Sequence, residues 1–387
     1  MAKGTAEENE GLPAEAGRRQ RSLLELLEAL VRTESPTEDK AGVDACVALV
    51  EQRCMSLGGI AKRHRQKKHG DLLEVRFGPN ARGRKPLMLL GHLDTVWPLG
   101  TLQNMPFRLR EGCAWGPGIL DMKAGVAMAV TALEILGSRG MLRRPVVMLL
   151  NSDEETGSVV SRAVTERIAR RCEAVFVLEP AQGVEGAYKT ARKGVGGFRL
   201  HVRGVAAHSG VDFERGHSAI TELARLIGKL SDFTDLDRGI TVNAGVIAGG
   251  TRSNVVAAEA WADVDVRIAR RADAARIERR FRGLRPEDKL CALTIEGGLN
   301  RPPMERAAGT LKLFRKAQSL ASRMGFMLDE AATGGGSDGN FTSALGVPTL
   351  DGMGAVGDGA HAAHESIVLE HLPRRTALLA AMIANVD

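Results

Sequence analysis

No apolar run in this 387-residue chain reaches the ~18 residues that a membrane span needs; stretches such as Leu87–Leu90 and Val146–Leu150 are only of strand length. Cysteine is scarce. Five residues, Cys46, Cys54, Cys113, Cys172 and Cys291, are odd in number, scattered and without a CxxC pair. That excludes a disulfide scaffold and is the usage expected of reduced, mostly buried thiols in the cytoplasm. Aromatic residues make up only 4%, and the basic stretches lack the aromatic interleaving of single-strand nucleic-acid binders. Residues 1–17 are acidic and polar with no apolar signal core, so export is not supported and a disordered lead-in is expected. Repeats and low-complexity tracts are missing too.

What is present is ordinary for a globular protein: 44% hydrophobic and 26% charged residues, enough for a sizeable core. At roughly 150 residues per domain the length predicts two or three domains. The formal net charge of +6 favours acidic partners without specifying nucleic acid. Basic residues gather at Lys62–His69 and at Arg270–Arg285, the latter with the spacing of a solvated helix face. Neither a nucleic-acid nor a membrane partner is expected.

Leucines 23, 26, 27 and 30 repeat at helical spacing and predict a helix over Arg18–Arg32, with another near Lys40–Leu57. Short apolar runs follow at Pro86–Leu90, Val146–Leu150 and Ala174–Leu178, with an Ala-rich helical stretch at Ala124–Leu136 between the first two. Continuous apolar strands alternating with helices predict an α/β sheet covered on both faces. After Gly194 the pattern changes. A one-faced strand at Phe198–Val202 precedes a helix at Ser218–Leu230, strands at Ile240–Ile247 and Ala260–Ile268, the Arg-rich helix and a strand at Leu290–Ile295. That β-α-β-β-α-β order is ferredoxin-like, and it predicts a second domain, 194–304, inserted between catalytic segments 18–193 and 305–387. The α/β pattern resumes with a helix at Gly309–Met324, a strand at Pro348–Leu350 and a helix at Leu372–Asn385.

Three of the apolar runs end in potential metal ligands: His92-Leu-Asp94, Asp153-Glu154-Glu155, and Glu179-Pro180. Ligands in open α/β sheets bind beyond the carboxyl ends of the strands, so three successive strands deliver imidazole and carboxylate to one edge. Asp121, in the Gly/Pro loop Trp115–Gly125, and His361, in Gly359-Ala-His361-Ala-Ala-His364-Glu365, extend the set. Two His and three carboxylates exceed the needs of one catalytic zinc and suit two divalent ions about 3.5–4 Å apart. Asp94, two positions after His92, is placed to orient that imidazole or to form a turn. His364 rivals His361 as the ligand. His208, in Ala-Ala-His-Ser-Gly, is either catalytic or a surface-loop residue. Trp97 and Trp115 read as packing residues. Arg267 shares a strand face with Asp263 and Asp265; it either clamps a substrate carboxylate or pairs with those aspartates.

The segments GHLDTV, GPGILDMKAG, NSDEETGS, LEP, AAHSG, SNVV, GGGSDGNF and HAAHE together resemble the di-zinc amidohydrolases that include glutamate carboxypeptidase, acetylornithine deacetylase, succinyl-diaminopimelate desuccinylase and aminoacylase. GPGILDMKAG, DEETGS and TARKG look most like the glutamate-carboxypeptidase branch. The resemblance implies a di-zinc exopeptidase-like α/β domain with an inserted ferredoxin-like domain that acts as lid and dimer interface. It also implies two metal ions, zinc or alternatively cobalt: His92 beside Glu179 on one, Glu155 beside His361 on the other, Asp121 bridging. Glu154 would be the general base, with Asp94 among the catalytic group. His208 would reach the scissile carbonyl, from the neighbouring subunit of a homodimer. Asn254, Arg267, Gly335 and Gly336 would contact substrate. The implied activity is hydrolysis of an amide beside a free carboxylate in a peptide, releasing a C-terminal amino acid, or alternatively in an N-acyl amino acid. Gly116-Pro-Gly118 before a helix is too incomplete for a dinucleotide fingerprint, and the intact ligand set argues against a non-catalytic binding protein.

Overall fold

The computed structural model describes residues 11–79 and 83–386. Three helices open it: α1 (Leu12–Arg18), α2 (Gln20–Arg32) and α3 (Lys40–Ser56). The first corrects the expectation of a disordered lead-in over 1–17; residues 1–10 lie outside the described residues, but Leu12 and Ala16 are buried in the main core, which fixes the helix. The carboxylate of Asp39 caps α3 by accepting from the amides of Ala41 and Gly42. Next come β1 (Ile60–His64), β2 (Leu72–Phe77), β3 (Leu87–His92), β4 (Arg108–Arg110), β5 (Cys113–Trp115), α4 (Ala124–Ser138), β6 (Val146–Asn151), α5 (Arg162–Ala169), β7 (Ala174–Val177) and β8 (Tyr188–Arg192). The middle of the chain forms β9 (Gly194–Arg203), α6 (Ala219–Ser231), β10 (Thr241–Gly249), β11 (Glu259–Ile268), α7 (Ala274–Arg282) and β12 (Ala292–Arg301). It closes with α8 (Ala308–Arg323), β13 (Glu330–Thr333), α9 (Gly339–Ala344), β14 (Thr349–Leu350), β15 (Gly357–Asp358), β16 (Ser366–Val368) and α10 (His371–Asn385).

Two compact units result. One comprises Met1–Ala191, Arg306–Thr333 and Ser337–Asp387; the other comprises Arg192–Glu305 with Gly334–Gly336.

The first unit is built on a six-stranded sheet of order β1-β2-β6-β3-β7-β14. Strands β6, β3, β7 and β14 are parallel, and β2 and β1 add antiparallel strands at one side. The apolar runs of the parallel strands divide by alternation. Leu87, Leu89, Met148, Leu150 and Phe176 join the core shared with α3, α4, α8 and α10, whereas Met88, Leu90, Val147, Leu149, Val175 and Val177 face α5 and its neighbours. Both faces are covered, so no polar position interrupts the strands. Each such side chain contributes about 1.5–3 kcal/mol by leaving water. A smaller sheet, β15-β16-β5-β4, was not legible beforehand.

The second unit is one four-stranded antiparallel sheet of order β10-β11-β9-β12. With chain order β-α-β-β-α-β this is the ferredoxin-like arrangement. Phe198, Leu200 and Val202 of β9 alternate inward to meet Leu223 and Leu226 of α6 and Phe281 of α7; Phe198 and Phe281 stack at 3.9 Å.

Candidate metal centre

Strand register brings the ligands to one edge. His92, the last residue of β3, is level with Asn151, the last of β6. Leu90 is level with Val177, the last of β7, so His92 and Glu179 each stand two positions beyond that pair. Glu154 and Glu155 follow β6 in a single 3-10 turn. Asp121 enters from the loop ahead of α4, and two glycines allow the approach. Gly118 has φ +67°, and a Cβ there would meet Thr95 at 2.4 Å; a Cβ at Gly125 would lie 2.0 Å from the Leu178 carbonyl.

His92 Nε2 lies 3.2 Å from Asp121 Oδ1 and 3.6 Å from Glu179 Oε1. On the other side of Asp121, His361 Nε2 lies 3.4 Å from Asp121 Oδ2 and 3.3 Å from Glu155 Oε2. Two triplets emerge, His92–Asp121–Glu179 and Asp121–Glu155–His361, each with donor atoms within 4.8 Å of one another and Asp121 common to both. Glu155 Oε1 is buried without a hydrogen-bond partner. An orphaned carboxylate oxygen beside paired imidazoles fits a divalent cation. Glu154 stands in neither triplet, and neither does His364, whose ring lies 3.6 Å from Asp358 instead. His361 adopts φ +63°, a left-handed conformation unfavourable outside glycine.

Charge coupling dominates the protonation behaviour. Burial opposes the cationic form of His92, but its hydrogen bonds to Asp121, Asp94 and Glu179 prevail and raise it well above the ordinary imidazole value. The His361 imidazole is raised to about 10 by Asp121 and Glu155. Loss of water around the partly buried Asp121 would raise its carboxyl, yet the two imidazoles hold it far below the carboxylate range. Burial pushes Glu155 up.

Asp94 organises the inner side. Its carbonyl oxygen lies 3.0 Å from His92 Nδ1, while its carboxylate accepts the amides of Glu154 and Glu155, both at 3.2 Å, and the Thr37 hydroxyl at 2.7 Å. One residue therefore connects a ligand of β3, through its backbone, with the Glu154–Glu155 turn, through its side chain. Glu365 has the matching role for Asp121 and was missed from sequence. Buried at 1% exposure, it accepts the amides of Gly118 at 2.9 Å, Leu120 at 2.9 Å and Asp121 at 3.1 Å. Trp97, expected only to pack, also donates its indole N–H to Glu365 at 2.7 Å. The one available signal was the position of Glu365 four residues after His361.

The remaining predicted residues belong to the second unit. His208 is exposed, and its Nδ1 accepts the Gly210 amide at 3.1 Å, which leaves the proton on Nε2. The Asn254 carbonyl accepts the Ser209 amide at 3.0 Å. Arg267 pairs with Asp265 through Nε and Nη2 at 2.9 and 3.0 Å, and Nη1 donates to the Gly334 carbonyl at 3.4 Å. Of the two readings of Arg267, pairing on its own strand is what the structure contains. The Gly335 and Gly336 carbonyls accept from the Arg192 guanidinium.

The sequence profile described as peptidase family M20/M25/M40 matches residues 88–385. The chain belongs to that family. M20 relatives include carboxypeptidase G2 of Pseudomonas sp. (strain RS-16), 29% identical over 377 residues, covering 95% of this chain and 90% of the relative. Succinyl-diaminopimelate desuccinylase of Stenotrophomonas maltophilia (strain R551-3) is 27% identical over 369 residues, covering 91% and 95%. Among solved structures, aminopeptidase PepT of Bacillus cereus superposes with TM-score 0.77 at 24% identity, covering 94% of this chain and 98% of that one. This M20 member is a hydrolase of C–N bonds. Among the described residues no helix is long and apolar enough to cross a membrane.

Proposed function

We propose that this protein is a metal-dependent hydrolase that cleaves an amide bond beside a free carboxylate, as a glutamate carboxypeptidase-like exopeptidase that releases a C-terminal amino acid. The observation that carries this reading is the pair of ligand triplets sharing Asp121, with Glu154 adjacent to Glu155 but outside both. His92 and Glu179 would hold one divalent ion, Glu155 and His361 the other, and Asp121 both, with zinc the first choice and cobalt the second. When bound, such ions polarise a carbonyl and acidify water. Glu154 takes a proton from the attacking water and passes it to the leaving amine. Asp94 fixes the turn that aims it. His208, with its Nε2 proton free to donate, stabilises the oxyanion of the scissile carbonyl, and Arg267, Asn254, Gly335 and Gly336 contact the substrate. For Arg267 to clamp a substrate carboxylate, the substrate must displace Asp265.

The supply of His208 by a partner subunit, in a homodimer formed through the βαββαβ unit, is part of the same proposal, as is a cytoplasmic location, supported by five free cysteines. A second reading, N-acyl-amino-acid deacylase, is favoured by the desuccinylase similarity over 91% of the chain. A hydrolysis screen of zinc- or cobalt-loaded protein against peptidyl-amino acids, folate-like glutamates and N-acyl-amino acids separates the two. Preference for peptidyl substrates supports the exopeptidase; exclusive cleavage of N-acyl substrates replaces it with the deacylase.

A further inference from the structure

The basic stretch after residue 60 has no part in the metal centre, and the structure gives it a shape. In the antiparallel ladder Ile60 pairs with Arg76, and Lys62 with Glu74, so these side chains share a face at the side of the sheet where β1 and β2 lie. Helix α5 borders the same face. Between them lies a trough of about 760 Å³, a volume typical of small-molecule sites. Pro86 and Pro145, which precede β3 and β6, also line it, so it lies at the end of the parallel strands opposite the metal ligands.

The trough has a strong charge imbalance. Lys62, Arg76, Arg84, Arg167 and Arg171 line it against a single carboxylate, Glu74. Both oxygens of Glu74 are already engaged, one by His64 at 2.8 Å and the other by Arg76 at 2.8 and 2.7 Å. Lys62, Arg84, Arg167 and Arg171 have no ion-pair partner among the described residues. Other arginines of the chain do pair: Arg199 with Asp263, Arg238 with Asp273, Arg162 with Glu166. A helix C-terminus favours cations, which accounts for Arg167 and Arg171 at the end of α5. It does not account for Lys62 and Arg84 converging from two other elements. Like charges gathered in a concavity repel one another and focus a positive potential, and guanidinium forks match phosphate and carboxylate geometry. Ile60, 74% exposed, and Ile168 supply apolar surface in the same trough.

We propose that this trough binds a small organic polyanion, a molecule with two or more phosphate or carboxylate groups on a compact apolar body. The site is separate from the hydrolytic centre. Its ligand is an effector or a stabilising anion rather than the substrate.

Titration calorimetry of the full-length, metal-loaded protein at physiological ionic strength tests this, with the weak chelators glucose 1,6-bisphosphate and benzene-1,3,5-tricarboxylate as probes and retention of the ions checked by elemental analysis. One saturable site per chain, at the trough, is expected, with the bisphosphate tighter if the ligand is phosphorylated and the tricarboxylate tighter if it is a polycarboxylate. The double variant Arg167→Ala/Arg171→Ala should weaken binding at least tenfold, and Lys62→Ala several-fold. The control Arg279→Ala/Arg282→Ala, on the exposed face of α7, should leave it unchanged. If the double variant unfolds, Lys62→Ala and Arg84→Ala singly give the reading. Absence of saturable binding to both probes overturns the proposal. So does an equal loss in the control, or tighter binding of duplex DNA or anionic vesicles than of either small anion.

Discussion

The two ends of the central sheet carry opposite charge in opposite ways. At the carboxyl end, carboxylates and imidazoles are drawn together in a site that runs from His92, 1% exposed, and Glu179, 6% exposed, out to His361, whose side chain is 48% exposed. At the other end, cations line an open trough, and the Arg76 side chain is 68% exposed. Buried charges must be matched almost one for one, so the acidic end has tight pairs, shared oxygens and shifted protonation. Exposed charges are screened by water and salt, so the basic end tolerates an unmatched excess. A buried cluster defines its ligand closely; an open one specifies only sign and rough size.

The largest test of that contrast is to strip the buried end. Exhaustive chelation should abolish hydrolysis, and zinc or cobalt should restore it; full activity in protein shown to be metal-free would remove the metal mechanism. Next in size, Glu154→Gln should lower kcat by about 10²–10⁴-fold with both ions retained. Loss of metal instead, read by elemental analysis, would make Glu154 a ligand. Third, Glu365→Gln should weaken metal affinity by about 10–100-fold, the usual effect of releasing a ligand's support, measured by competition with a chromogenic chelator. Unchanged affinity would mean that Glu365 only packs.

The smallest effect belongs to the exposed end. Burial raises the Glu74 carboxyl, but the hydrogen bonds from His64 and Arg76 outweigh it and hold the group below its ordinary value. A depressed value stabilises the fold above the unfolded pKa of about 4.3, and that contribution is lost as pH falls through the folded value. Glu74→Gln should therefore cost about 1.5 kcal/mol at pH 7, shrinking as the pH drops below that point, as read by urea denaturation at several pH values. A cost that grows toward acid would reverse the assignment.

Legibility followed the same contrast. The strands that carry ligands are runs such as Val146–Leu150, whose residues are all buried, and hydrophobic burial is written directly in residue type. Strand β1, Ile-Ala-Lys-Arg-His, has no buried residue. Pairing with β2 makes it a strand, and its sequence shows only charge. The two-residue strands β14 and β15 depend on tertiary hydrogen bonds; β14 lies in Val347-Pro-Thr-Leu350, where Thr349 is the sole polar residue, whereas β15, Gly357–Asp358, has no apolar side chain. In the site, the residues expected to gather as ligands do so in the two triplets, since each sits at a strand exit or in a distinctive loop. The function of Glu365 escaped because it holds backbone amides more than 240 positions away, and an amide has no letter in the sequence. Arg267 was the reverse case: its strand face was readable, but which neighbour holds its fork was not.

The two triplets span from His92 to His361, about seven-tenths of the chain, and Glu365, which fastens the Asp121 loop, comes later still. A ribosome makes five of the six central strands and the first four ligands long before it makes β14, His361 and Glu365. A chain that ends before His361 lacks one of the five ligands and also the carboxylate that fastens the Asp121 loop, so under the proposed mechanism hydrolytic competence rests on the last part of the chain to be made.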